Sequence, residues 1–524
     1  MVKRSRFFAH EFSGIERKSF EAILPGSRPF PKEVLIFLKS VAILFALAIV
    51  IVPELPQSLF LALNPATEKP YFVIRSHVTV TQFNLLWGFL GFSKISLWVR
   101  IAFFLCTAFL TVLPLPKSEI RLIAQPFFMR GKQYIWLGAI IIFSSVVFYV
   151  FRIPYHLNVL FGDGATIPGD IDNGMVFPAE ILTCYSFIWM KSLIATVYPA
   201  ITTNDAIVIT TCLSGGAFVG ALWMYGQRWG ITPVGRIIFA LSGILTGCTA
   251  MFLGYIETTQ MELMAFMMLS MSAVFVFTSV GRSVKRWELF AFFCASLAFL
   301  FHAAGILLIP ACFVFMMDSF DGTLRGFPWF SRTAIGLRQV LIIVGIVILP
   351  YFYMLVQPFF LQGNFGNISG GADHIMFVPL SFDYVHPVSP LISYSLFSFW
   401  HLADIFSAMF VAAPLSIVLL AAGIYTMWRC HIILTIAEWR NLLFLGLSAA
   451  GCLCVPLFWN HDFTMWGDWN LAGTYLFPFG FFAWVMCLTV FRHTDLSRND
   501  FLRLFLPLLF VQSVSAIGIL GQMF

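Results

Sequence analysis

The chain has 524 residues, 60% of them hydrophobic and only 11% charged, with 61 Phe. Soluble domains carry roughly a quarter charged residues, so the composition excludes an ordinary soluble globular protein and points to an integral membrane protein. The net charge of +6 is no sign of a nucleic-acid partner, because basic residues in such a chain report which loops face the cytoplasm.

Apolar runs of about 20 residues between short polar loops indicate membrane helices. A barrel would instead show alternation over about 10 residues. Residues 1–33 are polar and basic (Lys3, Arg4, Arg6, Arg17, Lys18, Arg28, Lys32) and read as a cytoplasmic segment without a cleavable signal. Residues 34–130 hold two accessory spans, near 34–53 and 95–114, joined by an aromatic outer loop over 54–93. The core, 131–491, opens with a span at 134–151 that ends at Arg152. A long outer loop, 152–205, follows, and its apolar piece near 184–198 reads as interfacial.

Spans are expected near 206–225, 234–254, 260–279, 339–356, 403–427, 441–459 and 472–491. The run 289–317 is long for one span and has basic flanks at both ends. It reads as two short helices meeting at His302. A second large outer loop covers 357–401, and the C-terminal segment, 492–524, carries a last span near 504–522. The expected fold is all-α: a polytopic transmembrane bundle of about 13 spans, with an outer-face cavity built from the long outer loops. Its N-terminus is cytoplasmic.

Charge supports this threading. The inner segments hold 24 of the 31 Lys and Arg, as the positive-inside rule requires. Acidic residues lean to the other side, and so do histidines 77, 156, 302, 374, 386, 401 and 461. A shared outer site accounts for that bias, and ordinary loop polarity is the plainer alternative. The ten cysteines lie mostly within apolar runs, where thiols act as small hydrophobes.

Five outer groups could carry chemistry. FGDG, 161–164, places Asp163 between glycines, with Asp170, Asp172 and Glu180 downstream. Glycines let backbone approach a ligand closely. A carboxylate there suits a general base or a divalent-cation ligand, although a solvated acidic turn would look the same. GYIETTQ, 254–260, places Glu257 at a helix end, with Glu262 next along. His302 interrupts FLFHAAGILLIP, and a buried imidazole is costly unless bonded. His401 and Asp404 share a helix face at i, i+3. NHDFTMWGDWN offers His461, Asp462 and Asp468 among Trp466 and Trp469, indoles that stack on sugars or form interfacial belts. The sequence has no P-loop, GxSxG, paired CxxC or HExxH, so ATP-driven transport and serine or zinc hydrolysis lack support.

The order of these motifs resembles the GT-C superfamily of polytopic glycosyltransferases, which use polyprenyl-phosphate-linked sugars. It is closest to a bacterial branch with GDG after an early span, a GYVE-like helix end, His-x-x-Gly followed by Leu-Pro, HL-x-D and a late DWD-like motif. Here these read GDG at 162–164, GYIE at 254–257, HAAGILLIP at 302–310, HLAD at 401–404 and GDWNLAG at 467–473. Asn470 stands where that branch has Asp, and Gly467 where it often has a basic residue.

The resemblance implies a hexosyl- or pentosyltransferase of a bacterial inner membrane, with an extracytoplasmic active site. Asp163 would act as catalytic base. Arg152, Glu257, His302, His401, Asp404 and Asp468 would hold the donor phosphate or the acceptor. Asp170, Asp172, His461, Asp462, Trp466 and Trp469 are secondary candidates. A divalent cation, Mg or Mn, is left open at Asp163, Asp170 and Asp172. The partners implied are a polyprenyl-phosphate-linked sugar, membrane lipid and an acceptor that is a glycan, lipid or protein. A transporter of a polar solute and a non-catalytic subunit of a larger complex are the competing readings.

Overall fold

The computed structural model describes residues 28–55, 73–75, 78–80, 87–112, 132–152, 166–229, 233–279, 282–316, 378, 380, 396–397, 399–459, 469–496 and 498–523. Helices carry the fold. In chain order the main ones are α1 (Lys32–Ile51), α2 (Leu97–Val112), α3 (Lys132–Val150), α4 (Ile167–Asp172), α5 (Ile181–Ala195), α6 (Thr203–Trp229), α7 (Pro233–Ile244) and α8 (Gln260–Thr278). They continue as α9 (Arg282–Phe301), α10 (Phe399–Ala412), α11 (Ser416–Arg429), α12 (Ile436–Phe458), α13 (Trp469–Phe491) and α14 (Arg498–Met523). The sheet structure among the described residues is one short hairpin, β1 (Val73–Arg75) antiparallel to β2 (Val78–Val80). It lies in the segment expected to be an aromatic loop, where β-branched Val, Ile and Thr favour an extended pleat.

Among the described residues six helices, α1, α6, α8, α12, α13 and α14, are long and apolar enough to cross a membrane. Helices α10 and α11 together make a seventh crossing bent by 81°. The single span expected at 403–427 is therefore two half-helices. Pro414 lies in the break, where it lacks an N–H and disfavours helical backbone at Ala413. The span expected at 234–254 also ends early. Helix α7 stops at Ile244, and Gly247–Phe252 continue as a 3-10 turn. Ser242, Gly243, Thr246 and Gly247 are poor helix formers at that point. The piece expected to be interfacial is α5, which is short, buried near its N-terminus and exposes Trp189, Leu193 and Val197 beyond. The span expected at 339–356 lies outside the described residues, as does the total of about 13.

The expected break at His302 is present. Helix α9 ends at Phe301, and His302 is extended (φ −151°, ψ 131°). The chain then returns through 3-10 and α-helical turns over Ala303–Met316. Phe315 packs back on Phe292 of α9, with ring centroids 5.7 Å apart, and on Phe444 of α12 at 5.4 Å.

Antiparallel threading puts different charges at the two ends of the bundle. At one end Arg228 donates to Thr278 Oγ1 (2.6 Å), Arg440 donates to Val314 O (3.2 Å) and Arg492 pairs with Glu438. Glu438 also accepts from Thr435 N–H (2.6 Å), closing a capping box that starts α12. At the other end stand Glu180, Glu257, Glu262, His302 and His401. Between the two ends the core is aromatic, with Phe218, Phe252, Phe477 and Phe481 buried around α6, α8 and α13.

Candidate functional site

Four side chains from four elements meet at the acidic end. Glu180 closes a 3-10 turn, Pro178–Glu180, that leads into α5. Glu262 lies in the first turn of α8, where the positive end of the helix dipole favours an acid. His302 occupies the break after α9, and Tyr475 projects from α13. Thr183 Oγ1 donates to Phe301 O (2.8 Å), tying α5 to the last turn of α9 beside the break.

The imidazole is fixed from the backbone outward. Ala304 N–H donates to His302 Nδ1 (3.2 Å), so the ring caps the turn that follows it. Tyr475 Oη lies 2.8 Å from the same Nδ1 and is hydrogen-bonded to Glu262. On the other edge of the ring, Nε2 stands 3.5 Å from Glu180 Oε1. The side chain of Glu262 is only 3% exposed, whereas that of Glu180 is 20% exposed. The cluster therefore runs from the bundle interior toward its surface. Helix α12 supports it closely: a Cβ on Gly451 would come within 2.2 Å of Leu307 O in the turn after His302.

Glu257 sits five residues before Glu262, in the turn that feeds α8. The turn requires Gly254 at φ +77°, a conformation that favours glycine. Glu257 is buried, and its carboxylate accepts from Thr258 N–H (3.3 Å). Arg152 is exposed over the ring of Tyr149, and its Cβ would lie 3.1 Å from a Cβ on Gly254. It therefore stands beside the Glu257 turn.

His401 and Asp404 share a buried face of α10, as their spacing predicts. His401 Nε2 lies 3.0 Å from Leu457 O in the last turn of α12. A carbonyl only accepts, so Nε2 carries the proton, and the ring satisfies one of the carbonyls left open at a helix end. Asp172 is engaged by Lys191 Nζ (2.7 Å) and by Thr203. Those two hydrogen bonds, Lys191 first, hold its carboxyl below the usual range. Asp172 thus ties α4 to α5 and α6. Asp170 is half-buried on α4. Among the described residues no three His, Cys, Asp or Glu are placed to hold a metal.

Asp163, His461, Asp462, Trp466 and Asp468 lie outside the described residues, and Trp469 is described only as the first residue of α13. Of the expected site residues, the structure joins His302 to a hydrogen-bonded cluster and places Glu257, His401 and Asp404 at the same end. The sequence reading left Glu180 and Glu262 without a role and missed Tyr475. An acid in the first turn of an apolar helix was the available signal for Glu262. Tyr475 had none, being one aromatic in a run of them.

The chain matches no protein-family profile and no curated protein. Among solved structures it is similar to ArnT from Cupriavidus metallidurans. The form bound to undecaprenyl phosphate aligns at 11% identity with a TM-score of 0.32. The apo form aligns at 13% identity with a TM-score of 0.33. Each alignment covers 70% of this chain and 78% of the other.

Proposed function

We propose that this chain is a membrane glycosyltransferase of GT-C type. It moves a hexosyl or pentosyl group from a polyprenyl-phosphate donor to a glycan, lipid or protein acceptor on the extracytoplasmic side of a bacterial inner membrane. The observation that carries this reading is the gathering of Glu180, Glu262, His302 and Tyr475 at the acidic end of the bundle. It is the end to which the motifs GYIE, HAAGILLIP and HLAD lead. The donor lipid reaches the site sideways from the bilayer. Asp163 removes the proton from the acceptor hydroxyl as that oxygen attacks the anomeric carbon, and the lipid phosphate leaves with the bonding pair. Arg152 and His302 supply positive or hydrogen-bonding partners for the leaving phosphate.

The test is transfer by the purified full-length chain from a panel of polyprenyl-phosphate sugars, with and without Mg or Mn. Asp163→Asn should lower transfer by about 10²–10⁴-fold, the usual contribution of a positioned base. Transfer at the native rate by that variant would remove Asp163 as the base. The buried Glu262–Tyr475–His302 chain also suits a proton-coupled transporter of a polar solute. Solute flux in liposomes, with no turnover of any donor, would establish that reading instead.

A further inference from the structure

The cluster at the His302 break has a direction, and its hydrogen bonds set it. Ala304 N–H donates to His302 Nδ1, so that nitrogen presents a lone pair and the ring's own proton is on Nε2, facing Glu180. Tyr475 Oη lies between Nδ1 (2.8 Å) and Glu262 Oε2, to which it is also hydrogen-bonded. A phenol has one proton. If it went to Glu262, two lone pairs would face each other across the 2.8 Å to Nδ1. Both contacts are satisfied when Glu262 is the neutral acid and donates to Tyr475, and Tyr475 donates to Nδ1, whose one lone pair it shares with the longer contact from Ala304 N–H (3.2 Å).

We infer that Glu262, Tyr475, His302 and Glu180 form a proton relay between a carboxyl stored inside the bundle and a carboxylate at its surface. Each step moves one proton and no electrons. The Glu262 proton passes to Tyr475 Oη, the phenol proton passes to His302 Nδ1, and the Nε2 proton passes to Glu180. Glu262 ends as the carboxylate, Glu180 as the acid and His302 as its other tautomer. The Ala304 N–H loses its acceptor in that state, which favours return to the first. The last link is the gate. At 3.5 Å, Nε2 and Glu180 Oε1 are about 0.5 Å beyond the usual N–H···O length, so the relay conducts when Glu180 turns inward. Among the described residues, Cys452 of α12 also faces Glu262, and Cys184 of α5 faces Glu180. The relay concerns the protein's own protons and stands whether the substrate is a sugar donor or a transported solute.

Infrared difference spectroscopy on the purified full chain, in H2O and after transfer to D2O, tests it without any assay of activity. The native protein should show a neutral carboxyl band at neutral pH that is lost in Glu262→Gln and kept in Glu180→Gln. Tyr475→Phe removes one oxygen while keeping the ring, and it should move the band to the higher frequency of a less hydrogen-bonded acid. His302→Gln keeps a polar side chain without a path for the proton. It should leave the band in place but slow its exchange to deuterium by about tenfold or more, the cost of one lost hydrogen-bonded step. A spectrum unchanged by Glu262→Gln, a band unmoved by Tyr475→Phe, or exchange at the native rate in His302→Gln would each overturn the relay. Should Glu262→Gln fail to fold, the Tyr475→Phe shift and the His302→Gln exchange rate still decide.

Discussion

Gly451→Ala is expected to damage the site without touching a reacting group. The added Cβ would lie 2.2 Å from Leu307 O, a backbone atom in the turn after His302. A methyl carbon approaches a carbonyl oxygen to about 3.3 Å, so α12 and the turn must separate by about 1.1 Å. Forced overpacking of this size costs about 1–3 kcal/mol of stability. The larger effect falls on geometry. The turn carries Ala304 and fixes the His302 ring, and a misplacement of about 1 Å costs roughly 10²-fold in rate. Gly446→Ala is the matched control: it lies on the same helix, and its Cβ would meet Phe482 at an ordinary 3.5 Å. That control should be neutral or slightly stabilised, since Ala exceeds Gly in helix propensity by about 1 kcal/mol. Sugar transfer and thermal unfolding of the two variants in the same detergent provide the comparison. Equal transfer rates for Gly451→Ala and Gly446→Ala would refute the claim that this contact positions His302.

Three further outcomes are expected. Glu438→Ala removes the carboxylate half of the α12 capping box and strips Arg492 and His493 of their shared partner. Glu438 is 2% exposed, so thermal unfolding should report a loss of about 3–5 kcal/mol; a loss below about 1 kcal/mol would mean the pair is solvated. Asp172 has its carboxyl lowered by Lys191 and Thr203, so its tether is complete at neutral pH, above the usual 3.8, and is lost as pH falls through the lower folded value. The pair is half-exposed, so the effect is local and below about 1 kcal/mol: Lys191→Met should speed hydrogen exchange of the peptide 166–172, and unchanged exchange would remove the tether. Orientation is read with single cysteines at exposed positions of the two ends. A membrane-impermeant thiol reagent should label Ala179→Cys in intact cells and Ile433→Cys only after permeabilisation, and the reverse pattern would invert the topology.

Much of the helical threading was legible because a bilayer demands long apolar runs whose backbone groups bond internally. The ends of α1, α8 and α13 fall within a few residues of the spans read from sequence. The break at His302 was legible for a different reason: basic residues flank the run on both sides, so it had to turn back. Proline was a poor guide. Pro456, Pro478 and Pro507 lie inside α12, α13 and α14, while Pro414 separates α10 from α11 by a sharp bend. Local sequence cannot distinguish these cases, because neighbouring helices decide whether a kinked turn is held together. Asp172 read as a secondary site candidate and cation ligand, and its partner Lys191, 19 residues away, was not legible from local sequence. Glu262 and Tyr475 are 213 residues apart, and only the packing of α13 against α8 makes them partners.

The two ends of the bundle treat buried carboxyls differently: among the described residues Glu438 has a permanent cation against it and Glu262 has none. Glu438 is met by the Arg492 guanidinium, by the donors of a capping box and by His493 Nε2 (2.8 Å), and a guanidinium keeps its proton and so holds the carboxylate charged. Glu262 is met by a phenol and, beyond it, an imidazole, partners that exchange protons. The fold itself requires the break that assembles this second group. A continuous helix over 282–316 would run about 52 Å at 1.5 Å per residue, well beyond a hydrocarbon core of about 30 Å. The chain must therefore turn, and the new 3-10 turn leaves backbone N–H groups in want of acceptors. His302 Nδ1 takes the one from Ala304. That single bond caps the turn and also commits the ring's proton to Nε2, on the side of Glu180. The atom that closes the turn is thus the atom that sets which way a proton can move.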